Sequence, residues 1–259
     1  MTSHSLMNPD PADELMNRER LQRGYTIILP GIEGYSWLNR RMRRGLVAAE
    51  VPYAIEIHDW TRGLSRAIFN LRSRKLHQRQ SEILREKIQN YQHRFPQRPV
   101  FLIGHSGGGG LTLRVLEGLP AQMSISGAIL LGAAISPAYD LRPALGHVDR
   151  KIWNMTSLAD VIFLGMLTLA AGTLDGRHSV SAGMTGFRPW DLPRPLSERF
   201  EEMPYRFEYG KHGHYAGHFG FTAPSFVKNY VAPLLMQIDE RCPVPVAPLA
   251  SVISNPATP

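Results

Sequence analysis

The sequence predicts an α/β fold: a mostly parallel central sheet with helices on both faces. Three observations carry that prediction. Short β-branched and apolar runs alternate along the chain with segments of helical periodicity. The clearest run is apolar throughout, as a strand covered on both faces should be. The chain has 259 residues, 43% of them hydrophobic, and no internal repeat, which suits one large α/β domain.

The elements follow in order. Residues 1–20 are polar and interrupted by Pro9 and Pro11, and read as a flexible lead-in. Residues 25–29 form the first strand, ended by Pro30-Gly31, and residues 53–57 the second. Leu84, Ile88 and Tyr91 share one face of a helix closed by Phe95-Pro96. Residues 100–103 are a third strand, 110–118 a helix, 128–131 a fourth strand and 152–155 a weaker fifth. The most apolar run, 161–171, falls short of the roughly 20 residues that span a bilayer and reads as a buried helix. Residues 205–209 are a possible last strand and 225–238 a last helix. The simplest division is a lead-in over 1–20, one domain over 21–242 and a proline-rich tail over 243–259.

Cys242 is the single cysteine, so no intrachain disulfide forms, which fits a reducing compartment. Residues 1–20 lack the apolar stretch of a secretory signal, and a cytoplasmic location is expected. The net charge of +7 lies wholly before residue 99. It concentrates in Arg40, Arg41, Arg43 and Arg44, then in Arg62, Arg66, Arg72, Arg74, Lys75 and Arg79, and no Asp or Glu occurs from Trp60 to Ser81. Solvated helix faces are the plain explanation. Peripheral contact of the 40–79 region with an anionic membrane is the sharper one. Nucleic acid is not expected, because no basic motif with interleaved aromatics is present. Nothing in the sequence fixes an oligomeric state.

The chemistry centres on Gly104-His105-Ser106-Gly107-Gly108, a Gly-x-Ser-x-Gly sequence between an apolar strand and a helix. A nucleophile on so tight a strand–helix turn needs neighbours without side chains two residues before and two after. The turn lifts the serine oxygen to the positive end of a helix, where developing negative charge is favoured. A Walker loop would need Gly-Lys-Ser/Thr, which is absent.

At these residues the chain resembles the α/β-hydrolase superfamily, specifically its Gly-His-Ser-x-Gly lipases and esterases. The resemblance implies a Ser106 nucleophile, then an acid, then a histidine in chain order, and an oxyanion hole from two backbone amides. By position those amides are Ile32, after the first strand, and Gly107; Pro30 stands where many members carry histidine. Asp140, Asp149, Asp160, Asp175 and Asp191 follow the elbow. Asp160, after the fifth strand, is where the family places its acid, with Asp140 the alternative. For the base, His218 fits the loop before the last helix, with His214 the alternative, and His105 is a packing neighbour. His212, His214 and His218 also raise a zinc site. They enclose no carboxylate and match no known zinc spacing, so neither metal nor cofactor is expected.

The resemblance implies a serine esterase or lipase acting on a small-molecule or lipid ester. An acyltransferase or thioesterase on the same fold is the alternative, as is a non-catalytic binding protein, which would lack a triad member. The lid is expected to be small, with residues 172–204, including Phe187 and Trp190, as its source.

Overall fold

The computed structural model describes residues 14–160, 172–187 and 192–237. Among these residues six strands form one sheet in the order β2-β1-β3-β4-β5-β6, and every pairing is parallel. The strands are β1 (Tyr25–Leu29), β2 (Ala54–Ile57), β3 (Val100–His105), β4 (Ile125–Leu131), β5 (Val148–Thr156) and β6 (Phe200–Pro204).

Successive side chains on a strand point to opposite faces, and both faces are covered here. Ile27, Leu29, Leu102, Ala128 and Leu130 join one buried cluster, while Ile28, Phe101, Ile103, Ile129 and Leu131 join the other. The first face is covered by α4 (Arg74–Arg94) and α5 (Gly107–Glu117), through Leu84, Ile88, Leu111 and Val115. The second is covered by α2 (Trp37–Ala48) and the last described helix, α6, over 224–236, through Met42, Leu46, Phe226 and Val231. α6 runs as Pro224–Phe226, a π turn Val227–Val231 and Ala232–Met236. Pro233 has no N–H to give the carbonyl four residues back, which explains the wider turn.

Ordered structure begins before residue 21. Asn17 caps α1 (Arg18–Arg23), and Arg20 Nη1 donates to the carbonyls of Val51 and Tyr53, at 2.9 Å each. Residues 1–13 of the expected lead-in lie outside the described residues, as do the 161–171 run, Trp190, Asp191, Cys242 and the tail.

The last strand differs from expectation. It is β6, Phe200–Pro204, pairing Ile152 with Phe200 and Thr156 with Pro204, and not 205–209. β6 is an edge strand of half-exposed and exposed residues that includes Glu201 and Glu202, so it lacks the apolar run that marks the inner strands. Tyr205 instead precedes a 3-10 turn, Phe207–His212, and Tyr209 lies within it. Their rings meet 5.8 Å apart and join those of His214, Phe226 and Tyr230. The aromatic pattern that suggested a strand serves this cluster.

Candidate active site

Ser106 stands between β3 and α5 with φ 53° and ψ −119°, a left-handed backbone that a non-glycine residue holds at a cost of about 1–3 kcal/mol. Three hydrogen bonds hold it there. Its N–H donates to Leu131 O, and its carbonyl accepts from the amides of Gly109 and Ala134, each at 3.0 Å. A Cβ on Gly104 would lie 2.5 Å from Gly108 O, and one on Gly108 would lie 2.2 Å from Leu29 O. The turn therefore closes only with glycine two places before and two after the serine.

The loop after β1 is fixed against this elbow. Trp60 Nε1 donates to Pro30 O at 2.7 Å, Gly34 N to Gly31 O at 3.1 Å, and Asn70 Nδ2 to Ile32 O at 2.9 Å. A Cβ on Gly107 would lie 2.9 Å from Ile32 Cγ2 and 3.6 Å from Ile32 N, so the Ile32 and Gly107 backbones stand side by side. Neither amide donates to another group among the described residues. Pro30 is accommodated because its carbonyl, rather than a side chain, is what Trp60 holds.

Asp160 follows β5 and is buried, its N–H bonded to Ser157 O. His218 follows β6 and begins a 3-10 turn, His218–Thr222. Its Nδ1–H donates to Asp160 Oδ2 at 2.5 Å, with both side chains shielded from solvent. Ser157 joins the two loops, its hydroxyl donating to Ala216 O at 2.5 Å. His105 packs behind His218. Its ring lies 4.7 Å from that of His218, and Nε2 donates to His218 O at 3.3 Å. Burial, aided by the neighbouring His218, holds the His105 imidazole down at about 3, so it stays neutral.

The alternatives lie elsewhere. Asp140 is exposed and bonds the N–H and guanidinium of Arg142, two residues on. Asp149 accepts from Ser124 Oγ, and Asp175 accepts from Ser136 N and Thr173 Oγ1. His214 is wholly buried among Tyr205, Tyr209, Phe221 and Phe226. Burial lowers its pKa to about 4. His212 turns to Ser225 Oγ, 3.0 Å away, so His212, His214 and His218 do not converge. Among the described residues no group of three His, Cys, Asp or Glu side chains could share a metal ion.

Ser106 and His218 line one cleft of about 470 Å³ whose other walls include Ile32, Leu38, Leu71 and Phe219. Its cover comes from residues 64–71, through Leu64, Ala67 and Leu71. The described part of 172–204 is instead laid against residues 133–135, with Leu174 N bonded to Ala134 O, Ala182 N to Ile135 O and Gly183 N to Ala133 O. None of its residues lines the cleft. The expectation of a cover from that stretch is corrected to this extent.

Four residues of the site were not singled out from the sequence: Trp60, Asn70, Ser157 and Glu33. Glu33 lines the cleft, and its Oε1 is buried without a hydrogen-bond partner among the described residues. Burial pushes its carboxyl up from the usual range, against the opposing pull of its own and Gly31's amides and of His218.

Residues 79–164 match the family model described as serine aminopeptidase, S33, a span that holds Ser106 and Asp160 and stops before His218. No curated protein matches the chain by sequence. Among solved structures, a cutinase-like protein from Cryptococcus sp. is similar at 15% identity and TM-score 0.40, over 81% of this chain and 91% of that one. The ydeN gene product from B. subtilis is similar at 18% identity and TM-score 0.42, over 83% and 100%. A predicted CIB-like hydrolase from Thermoplasma acidophilum is similar at 15% and 0.40, over 83% and 88%. In architecture the chain is an all-parallel α/β sheet with helices on both faces, and over residues 79–164 it is similar to the family described as serine aminopeptidase, S33.

Proposed function

We propose that the protein is a serine hydrolase of carboxylic esters that works through an acyl-enzyme, with Ser106 as nucleophile, His218 as base and Asp160 as acid. The observation that carries this reading is the buried 2.5 Å bond from His218 to Asp160, in a site where His218 and the elbow serine line the same cleft. The aspartate fixes the Nδ1–H tautomer, which leaves Nε2 free to take a proton.

Ser106 Oγ attacks the ester carbonyl while Nε2 of His218 accepts the hydroxyl proton. Asp160 stabilises the imidazolium. Negative charge gathers on the former carbonyl oxygen, where the Ile32 and Gly107 amides receive it. His218 then returns the proton to the leaving alcohol, and water, deprotonated by the same histidine, releases the acid. The neutral His105 suits this scheme, because a second cation 4.7 Å away would oppose the imidazolium. The apolar walls of the cleft suit an apolar acyl or alcohol group.

A panel of p-nitrophenyl esters of rising chain length, with fluorophosphonate labelling, tests the reading. Wild type is expected to turn over and label. Ser106→Ala should do neither, and Asp160→Asn should lose roughly 10⁴-fold in kcat through the wrong tautomer. Full activity in Ser106→Ala would sink the proposal. Ester products formed with an added alcohol would mark acyl transfer instead of hydrolysis.

A further inference from the structure

The cover of the cleft carries its apolar residues on both sides. Residues 64–72 form a 3-10 turn, Leu64–Arg66, and then α3 (Ala67–Arg72). Asn70 and Leu71 point inward and are buried, while Leu64, Ile68 and Phe69 face solvent at 69%, 62% and 47% exposure. Trp37, at the start of α2, is 54% exposed at the same cleft. Contiguous exposed apolar side chains are uncommon on a soluble surface and mark a place of contact.

The same segment is strongly basic. Arg62, Arg66, Arg72, Arg74 and Lys75 are exposed, and no acidic residue lies between Trp60 and Ser81. Arg62, Arg66, Arg74 and Lys75 form no ion pair among the described residues. The Arg41 guanidinium lies 4.9 Å over the Trp37 ring. Leucine, isoleucine, phenylalanine and tryptophan edged by arginine and lysine are what an interfacial helix presents to lipid. A nucleic acid would use the cations and leave the apolar side chains in water, and an apolar protein partner would leave the cations unmatched.

We propose that this face, built on residues 62–75 and Trp37, docks on an anionic phospholipid surface and turns the mouth of the Ser106 cleft toward the bilayer. The cations are drawn to the headgroups, and Leu64, Ile68 and Phe69 enter the interface. Asn70, whose amide holds Ile32 O, ties the docked segment to the loop beside the elbow. Only the consequence, delivery of a lipid-borne ester to Ser106, rests on the hydrolase reading. Docking itself is tested in a protein without the nucleophile.

The probe is co-sedimentation of the full-length Ser106→Ala chain with vesicles of phosphatidylcholine, alone or with phosphatidylglycerol. Binding to the anionic vesicles should exceed binding to neutral ones by about tenfold or more, and should weaken sharply as salt rises. A basic residue near such a surface contributes about a fivefold gain, so Arg66→Glu with Lys75→Glu should cut binding by about 25-fold or more. Ile68→Asp with Phe69→Asp should also release the protein. In the Ser106 background the latter pair should keep wild-type turnover of a soluble short-chain ester, which shows that the fold is intact. Equal binding to both kinds of vesicle, or no binding at all, would overturn the proposal. So would binding indifferent to either double variant, or tight binding of a DNA duplex that survives Ile68→Asp with Phe69→Asp. A dimer broken by that pair, with no vesicle binding, would assign the face to a second copy of the chain.

Discussion

His214→Phe should flatten the acid sensitivity of this protein by about 2 kcal/mol at pH 5. His214 is wholly buried between aromatic rings, both ring nitrogens lack a hydrogen-bond partner among the described residues, and its pKa falls from 6.5 to about 4. The folded state therefore keeps it neutral, whereas the unfolded chain protonates it below about 6.5. The unfolded state binds more protons across that window, so stability is present above the unfolded pKa and is lost as pH falls toward the folded one. At pH 5 the unfolded imidazole is about 97% charged and the folded one about 10%, which by linkage removes about 2 kcal/mol. Phenylalanine keeps the ring contacts and has nothing to titrate.

Urea unfolding of wild type and variant at pH 7.5 and pH 5 measures the difference. His105, held down at about 3, adds a loss of the same sign, and the raised Glu33, Glu117 and Glu202 act the other way. All of these are present in both proteins and cancel in the comparison. Parallel losses of stability on acidification would show that His214 is solvated or paired in the folded state, and the reasoning would fail.

Three further outcomes follow from the site. Ser106→Gly should abolish labelling yet raise stability by about 1 kcal/mol, or about 2–4 °C in Tm, because glycine holds φ 53° without strain; an unchanged or lower Tm in a thermal melt would count against strain at the elbow. Asn70→Ala should free Ile32 O, lowering kcat about tenfold with little change in KM, and steady-state kinetics on a soluble ester would read the split. Glu33→Gln should gain stability over wild type as pH rises from 4 to 8, since a carboxyl with a raised folded pKa stabilises below that pKa and loses its contribution above it; chemical denaturation across that range should show the two curves diverging upward.

The sequence revealed what short-range sterics dictate and concealed what distant partners supply. Ser106 was nameable because a strand, a helix and glycines at fixed offsets enforce one another within ten residues. Asp160 and His218 could be narrowed to pairs by position, but only the tertiary bond between residues 58 apart shows which aspartate meets which histidine. Trp60, Asn70 and Ser157 hold the site through bonds that span 30, 38 and 59 residues to backbone carbonyls, and an acceptor carbonyl leaves no trace in a sequence. Glu33 was invisible for another reason: a glutamate in a polar loop is normally solvated, and only the folded loop shows that this one is buried at the cleft. β6 was missed because an edge strand needs no continuous apolar run.

The uneven charge of the chain has a topological consequence. In an all-parallel sheet every strand ends at the same edge, so the loops after β1, β3, β5 and β6 must gather there, bringing Ile32, Ser106, Asp160 and His218 together. β2 obeys the same rule. Among the described residues it pairs only with β1, at the side of the sheet, and the basic segment from Arg62 to Lys75 follows it. That segment therefore emerges at the same edge, beside the β1 loop, and among the described residues no strand lies beyond it to cover its outer face. A charge excess confined to the first part of the chain thus comes to stand next to a neutral site built mostly from the second part. In the proposed docking the cations hold an anionic surface without entering the cleft, where a fixed positive charge would oppose the imidazolium that the proposed mechanism forms on His218.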